Sequence, residues 1–564
     1  MFNAVKQAKE ELSSLIHAGF AAAFAKGELP EAELMPFVIE IPSDTTHGDF
    51  ATNAAMVNAR AFRKAPKMIA EILLANIDLS NSIFERIEVA GPGFINFFVK
   101  HQWFSGVVSG VLSSAENYGR SDYGKGEKIM VEFVSANPTG PMHMGNARGG
   151  AVGDGIATVL DWSGHTVSRE FYINDAGNQV EKFGQSLEAR YIQALKGEDA
   201  MEFPEDGYHG DDIKERAAEY IALHGDKLLT VEAEERRKLL VDYALPENVR
   251  RLKADLERYR INYDVWFKES SLHDSGAVKA VMQDLTDRGL TYEKDGALWY
   301  KATEYGGEKD EVLVRGNGFP TYFAADIAYH VNKFKERGFD RCINIWGADH
   351  HGHIARIKGA MDAVGVGGDR LDIVIIQLVR LMRGGEPVRM SKRTGKSVTL
   401  SDLLDDVPID AARFFFNMRE ASSNLDFDLD LAVEQSSQNP VYYVQYAHAR
   451  ICSIIANLKS EGIEPRDCTQ QDLSLLVDPA EIELTRILAA LPEEIIAAAK
   501  TYDPARLTHY VIEVATAFHR FYNTCRCKVE DECLMQARLN LCIATRTVIA
   551  NTLKMLKIDA PVSM

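Results

Sequence analysis

Cysteine is sparse. Seven are scattered over 564 residues, and no two form a C-x-x-C pair. This excludes a disulfide-stapled secreted scaffold and fits a reducing cytoplasm. The nearest thing to a cluster, Cys525, Cys527 and Cys533, lacks histidines at ligand spacing. It reads as thiols packed in or near a helix, with zinc as the lesser alternative. Long apolar runs are also missing. None approaches the roughly 18 residues a membrane helix requires. The opening MFNAVKQAKEELSSLIHAGF mixes charges among its apolar residues and reads as an amphipathic helix rather than a signal peptide. Low-complexity segments are absent. Cations are in deficit, 63 Lys and Arg against 82 Asp and Glu, for a net charge of −19. That balance argues against nucleic acid as a partner, although a basic groove can sit on an acidic body.

At roughly 150 residues per domain the length predicts three or four domains. The first 115 residues begin with a helix and end in IEVAGPGFINFFV, where Asn96 stands among apolar neighbours in a largely buried strand. ENYGRSDYGKGEK then reads as a linker. From Ile129 the run IMVEFVSA, the turn NPTGP, the small-residue helix from His143 and the strand TVSREFYIND form a βαβ unit. Such a unit predicts a parallel doubly wound sheet. Residues 185 to 270 read as a charged helical insertion. Strand-like runs return at RCINIWGAD and DIVIIQLVRLM, and from about Asp405 the chain reads as nearly all helix.

In such a sheet, ligands lie beyond the carboxyl ends of the strands, near helix N-termini. The turn containing Pro138, Gly140 and Pro141 leads into His143-Met144-Gly145-Asn146. Gly145 allows a ligand close to the backbone, and His143 and Asn146 can donate to phosphate oxygens. An ordinary strand-helix connection with a capping histidine fits these four residues equally well. No G-x-G-x-x-G opens a helix, which argues against a nicotinamide or flavin enzyme. Gly395-Lys396-Ser397 imitates a P-loop end, but Met390 stands where its first glycine belongs. Downstream, Arg389-Met390-Ser391-Lys392-Arg393 is either a phosphate clamp or a solvated basic loop.

The pair H-M-G-N and R-M-S-K-R resembles the two signatures of class I aminoacyl-tRNA synthetases, usually H-I-G-H and K-M-S-K-S. Asn146 departs from the second histidine, and Arg389 and Arg393 from the outer residues of the second motif. VEFVSANPTGPMHMGN, FYINDAGNQ, IWGADHHGHIARIKGA and NPVYYVQYAHAR are similar to arginyl-tRNA synthetases over essentially the whole chain. The resemblance implies a Rossmann-like α/β catalytic sheet with a helical insertion, an N-terminal α+β domain and a C-terminal all-α bundle. The corresponding boundaries are 1–115 (tRNA elbow), 116–400 (catalytic, insertion about 185–270), 401–440 (connecting helices) and 441–564 (anticodon binding). It implies that ATP and arginine form arginyl-adenylate, that magnesium arrives with ATP, that tRNA(Arg) receives the arginine, and that the enzyme is a cytoplasmic monomer.

Residue roles follow from the same resemblance. His143, Asn146 and Lys392 are the catalytic expectation. ATP falls to His143, Gly145, Asn146, Gly347, Asp349, His350, Met390, Ser391 and Lys392. Arginine falls to Glu132, Ser135, Asn137, Tyr322, Asp326 and Gln377. Carboxylates suit it because a guanidinium is planar and permanently charged. Tyr322 and Asp326, four apart, share one helix face. For Glu132 the bland alternative is a strand glutamate facing solvent, and for Gln377 a structural buried amide. The cluster His350, His351, His353 is read as lining the adenosine pocket rather than holding a metal, and no dedicated metal site is expected. Some relatives carry a lysine just before the first signature, where this chain has Gly140, and lack the one in the second. Here Lys392 supplies that cation. Tyr442 and Tyr446 are candidates for stacking tRNA bases, as is Asn96 for contact at the elbow. The tyrosines read equally as helical core. Two rivals remain from the sequence: a nucleotidyltransferase of the same fold that works without tRNA, and a non-catalytic RNA-binding paralogue.

Overall fold

The computed structural model describes residues 1–388 and 398–564. The first helix, α1 (Ala4–Ala25), buries Val5, Ala8, Leu12, Ile16 and Phe20 at helical spacing. It shares its core with an antiparallel sheet of β1 (Ile39–Glu40), β2 (Phe50–Thr52), β3 (Phe84–Ala90) and β4 (Phe94–Val99), ordered β1-β2-β4-β3. Asn96 sits on β4 opposite Ala51 and Glu88 and is 4% exposed. Neighbours would have to withdraw before RNA could touch its side chain, which counts against an open contact at the elbow.

The main sheet is five-stranded and parallel throughout. β5 (Lys128–Glu132) leads to α2 (Met144–Trp162), β6 (Thr166–Ile173), a helical excursion and β7 (Val265–Lys268). β11 (Arg341–Gly347) and β12 (Leu371–Ile376) return on the other side, giving the order β12-β11-β5-β6-β7. The excursion consists of α3 (Asn178–Lys196), α4 (Asp211–His224) and α5 (Ala233–Arg258), which bury Phe183, Leu187, Tyr191 and Leu240 in a core of their own. The stretch read as helical to residue 270 therefore contains β7, an edge strand of the main sheet. Its four residues, VWFK, are too few to display a period. A three-stranded antiparallel sheet of β8 (Thr291–Lys294), β9 (Ala297–Tyr300) and β10 (Glu311–Val314) precedes α6 (Tyr322–Val331) and was not anticipated.

Both faces of the parallel sheet are covered. α2 lies on one face in a core continuous with the C-terminal helices. On the other, α6 and α7 (Ile354–Ala363) pack Ile327, Ala328 and Ile357 with Met130, Cys342 and Leu371. α2 is glycine-rich because its neighbours come close. A Cβ on Gly153 would lie 2.4 Å from the Phe133 ring, and one on Gly155 would lie 2.9 Å from Pro504.

DIVIIQLVRLM, read as one strand-like run, is two strands in different sheets. β12 ends at Ile376, and β13 (Val379–Arg383) joins β14 (Glu386–Val388) and β15 (Leu425–Asp428) in a small sheet. β15 also corrects the all-helical reading after Asp405. The remaining helices include α8 (Ile409–Phe416), α9 (Pro440–Ser460), α10 (Pro479–Ala489), α11 (Leu491–Thr501), α12 (Ala505–Thr524) and α13 (Glu532–Met555).

One fully buried arginine ties these parts together. Arg413 of α8 donates from Nη2 to Asp154 Oδ2 on α2 (2.6 Å), from Nη1 to the Tyr259 carbonyl after α5 (2.9 Å) and from Nε to the Leu556 carbonyl after α13 (2.7 Å). Asp154 also accepts from Arg169 Nε (3.2 Å). Breaking a buried pair of this kind from one side costs about 3–5 kcal/mol.

Candidate active site

The strand order reverses between β5 and β11, and the crevice beyond their carboxyl ends is where doubly wound sheets bind ligands. Seven of the catalytic-domain residues selected from sequence lie at a strand end along this edge. Glu132 ends β5, with Ser135 and Asn137 after it. Gly347 ends β11, with Asp349 and His350 after it. Gln377 follows β12. His143, Gly145 and Asn146 form the N-terminus of α2, where Asn146 Oδ1 accepts from the His143 backbone N–H at 3.1 Å. His143 and Gly145 are exposed, and a Cβ on Gly145 would meet no protein atom within 4 Å. Nothing in the fold therefore demands glycine at 145, as suits a backbone approached by a ligand.

The segment after the second signature is stitched to the first. Met144 N–H donates to the Val398 carbonyl (3.1 Å), Leu400 N–H donates to the Met142 carbonyl (2.9 Å), and His143 bridges Thr399. Met390, Ser391 and Lys392 lie outside the described residues. Asp349 and His350 are exposed and contact each other at 3.2 Å. His350 and His353 both flank the Trp346 ring (centroids 6.0 and 5.5 Å), and His353 Nε2 is 3.0 Å from Asp326 Oδ2. Among the described residues no group of three His, Cys, Asp or Glu could hold a metal ion.

Tyr322 and Asp326 project from α6, and the Tyr322 ring packs over Gly177, whose φ is +79°. Glu132 does not face solvent. It is 7% exposed, and its carboxylate accepts from Lys333 Nζ at 2.5 Å and Ser135 Oγ at 3.0 Å. Val134 (φ 69°) and Ser135 (φ 41°) are both left-handed. For a β-branched residue this is strained, and such strain concentrates where surrounding structure over-determines a functional loop. Gln377 is half-buried at the strand end rather than an enclosed amide. Its carbonyl accepts from Nη1 of the fully buried Arg148 (2.9 Å), whose Nη2 donates to the Glu420 carbonyl (2.9 Å). Burial pushes the Arg148 guanidinium down to about 10.

Sequence reasoning missed Glu269. It follows β7 at the same edge, is 3% exposed, is hydrogen-bonded by the Tyr172 hydroxyl, lies 3.7 Å from His273 Nε2 and feels the charges of Asp326 and Asp175. Burial pushes its carboxyl up to about 7. The neighbouring acidic charges add to the rise, and the Tyr172 hydrogen bond opposes it. With its amide nitrogen turned inward, Asn174 donates to Glu269 Oε2 at 3.1 Å. Among the described residues, no lysine or arginine pairs with Glu269 or Asp326. Recognising β7 as a strand would have pointed to Glu269 by the strand-end rule.

On the C-terminal helices, Tyr446 is 40% exposed and parallel to Tyr442, the planes 7° apart with centroids at 6.4 Å. Tyr442 and Tyr443 are half-buried, so none of the three is enclosed core. Arg450 lies 4.2 Å over the Tyr522 ring beside them.

Comparisons with known proteins agree along the length of the chain. The family model for the class I (R) tRNA synthetase catalytic domain matches residues 107–455, that for the arginyl-tRNA synthetase N-terminal domain residues 6–99, and that for the DALR anticodon-binding domain residues 444–564. An arginine–tRNA ligase of Acetivibrio thermocellus is 57% identical over 564 residues, covering 100% of both chains, and one of Ruminiclostridium cellulolyticum is 55% identical with the same coverage. The fold is shared with the arginyl-tRNA synthetase of Thermus thermophilus (TM-score 0.72, 23% identity, covering 98% of this chain and 100% of that one). This chain belongs to the arginyl-tRNA synthetases.

Proposed function

We infer that the protein attaches L-arginine to tRNA(Arg) in two steps. ATP and arginine give enzyme-bound arginyl-adenylate and diphosphate. The 2′-hydroxyl of the terminal tRNA adenosine then attacks the activated carbonyl and releases AMP. The observation that carries this reading is a pair of neighbouring carboxylates, Asp326 and Glu269, at the carboxyl edge of the sheet, with His353 (3.0 Å) and His273 (3.7 Å) beside them but no lysine or arginine of the described residues on either. Two carboxylates suit a planar guanidinium, which offers donors along two edges.

Tyr322 packs beside the arginine side chain. Ser135, Asn137 and Gln377 take its amino and carboxylate end, and Glu132 frames the loop that carries Asn137. The α2 N-terminus, with His143, Gly145 and Asn146, holds phosphates by backbone donors and dipole. Gly347, Asp349 and His350 take the adenosine. Lys392, with Met390 and Ser391, is assigned from its motif to the charge that develops as diphosphate leaves. Catalysis is positioning and electrostatic stabilisation without a covalent enzyme intermediate. Magnesium arrives bound to ATP. Tyr442 and Tyr446 stack anticodon-loop bases. The enzyme acts as a cytoplasmic monomer.

The test is aminoacylation of bulk tRNA with each of the twenty amino acids in turn. Arginine alone should be charged, and charging of lysine in preference to arginine would refute the assignment of the pocket.

A further inference from the structure

Below the amino-acid pocket runs a buried chain of side chains on which the two-step reaction makes no demand. Lys333 lies in a π-turn (Asn332–Glu336) that continues α6, and it is 0% exposed. Its Nζ donates to Glu132 Oε2 (2.5 Å) and Asn344 Oδ1 (3.1 Å) and sits 4.1 Å over the Tyr329 ring. Three partners on three elements satisfy one ammonium group. Glu132 and Asn344 are directly opposed across β5 and β11.

The directions of these bonds are fixed. His330 Nδ1 lies 2.7 Å from the Asp326 carbonyl, which can only accept, so Nδ1 carries the proton. Nε2 is then an acceptor and takes a bond from Asn344 Nδ2 (2.9 Å). That orients the amide so that its oxygen faces Lys333. Burial holds His330 well below the ordinary histidine range, which keeps this neutral tautomer. At the other end Glu132 Oε1 accepts from Ser135 Oγ (3.0 Å), which accepts from the Tyr172 backbone N–H (3.1 Å). Five hydrogen bonds thus run without a gap from the backbone of Asp326 to Ser135, and a sixth ties Ser135 to the Tyr172 backbone.

We propose that the relay His330–Asn344–Lys333–Glu132–Ser135 is a ruler. It fixes the span between Asp326, at the guanidinium end of the pocket, and the strained Val134–Ser135 loop, at the amino end, and so sets the length of amino acid accepted. This rests on the arginine reading of the pocket. Lys333, Asn344 and His330 are positioning residues and touch no substrate. Glu132 is spent on Lys333 and Ser135 and does not read the guanidinium. A buried, fully satisfied polar network suits a ruler because a partly satisfied alternative is costly, so intermediate spans are not populated.

The test compares wild type, Lys333→Met and the double variant Glu132→Gln/Lys333→Met in ATP–diphosphate exchange with tRNA present. Substrates are arginine, its homologue one methylene shorter and its homologue one methylene longer. Lys333→Met should raise arginine KM about tenfold, leave ATP KM within about twofold, and cut the preference for arginine over the homologues about fivefold. The double variant buries no unpaired charge and should regain Tm without regaining that preference. It also stands in if the single variant fails to fold. The ruler is wrong if arginine KM and the homologue ratios stay at wild-type values in a folded variant, or if the double variant restores selectivity along with stability. Failure of the wild type to activate arginine would instead overturn the functional reading, and that result appears before any variant is made.

Discussion

With Glu269 in the proposed arginine pocket, arginine binding should be sensitive to acidity. Burial raises its carboxyl to about 7, so near neutrality the free enzyme holds it partly protonated. A guanidinium pairs only with the ionised form. Arginine therefore binds best above this value. As pH falls through it, arginine KM rises, by at most roughly tenfold per pH unit. Initial rates from about pH 6 to 8.5 would show the slope, and calorimetry in buffers of different ionisation enthalpy would show a proton released on binding. Glu269→Gln should raise KM and flatten the profile. Asp326→Ala should raise arginine KM on the order of a hundredfold while ATP KM holds, and an unchanged arginine KM would remove Asp326 from the pocket. Lys392→Ala should lower adenylate formation on the order of a hundredfold or more with tRNA binding nearly unchanged, as read by exchange kinetics against filter binding.

At the scale of elements, α2 depends on close approach. Gly153→Ala puts a methyl group into the Phe133 ring. Its cost, about 1–3 kcal/mol of overpacking, exceeds the roughly 1 kcal/mol that alanine gains in helix propensity. Tm should fall in a thermal melt, and activity with it, because Phe133 directly follows Glu132. The elements were legible in proportion to their length. β5, α2 and β6 carry enough pattern to declare a βαβ unit, and the strand-end rule then pointed to the turn before His143, while Glu132 and Gln377 came from the resemblance alone. β7 and β15, four residues each, carry no usable period. Gln377 looked interior because its flanks are apolar, yet those flanks are strands of two different sheets. Glu269 went unseen for want of β7. The partners of Glu132 could not be read either, because Lys333 is 201 residues away along the chain and only the folded sheet brings it near.

Over the whole molecule, an acidic protein must hold a polyanion. The net charge of −19 leaves tRNA binding to local cations and stacking, so tRNA KM should rise steeply with added salt while arginine KM moves little. Tyr446→Ala should lower kcat/KM for tRNA about tenfold, consistent with one lost stacking contact, and leave arginine and ATP binding at wild-type levels. The reading of an RNA partner overcame the charge argument because the motifs of the whole chain outweigh its sum of charges.

The guanidinium of Arg413 has a consequence for the chain's tail. Its Nε rests on the carbonyl of Leu556, only eight residues before the final Met564. Its neighbouring nitrogen grips the helix that opens with His143. A chain ended at Met555 keeps every residue assigned to chemistry, yet it strips one acceptor from a cation sealed away from water. The lost anchorage would be felt at the helix proposed to receive ATP, so such a truncation should make arginyl-adenylate poorly even where no tRNA contact is asked of it.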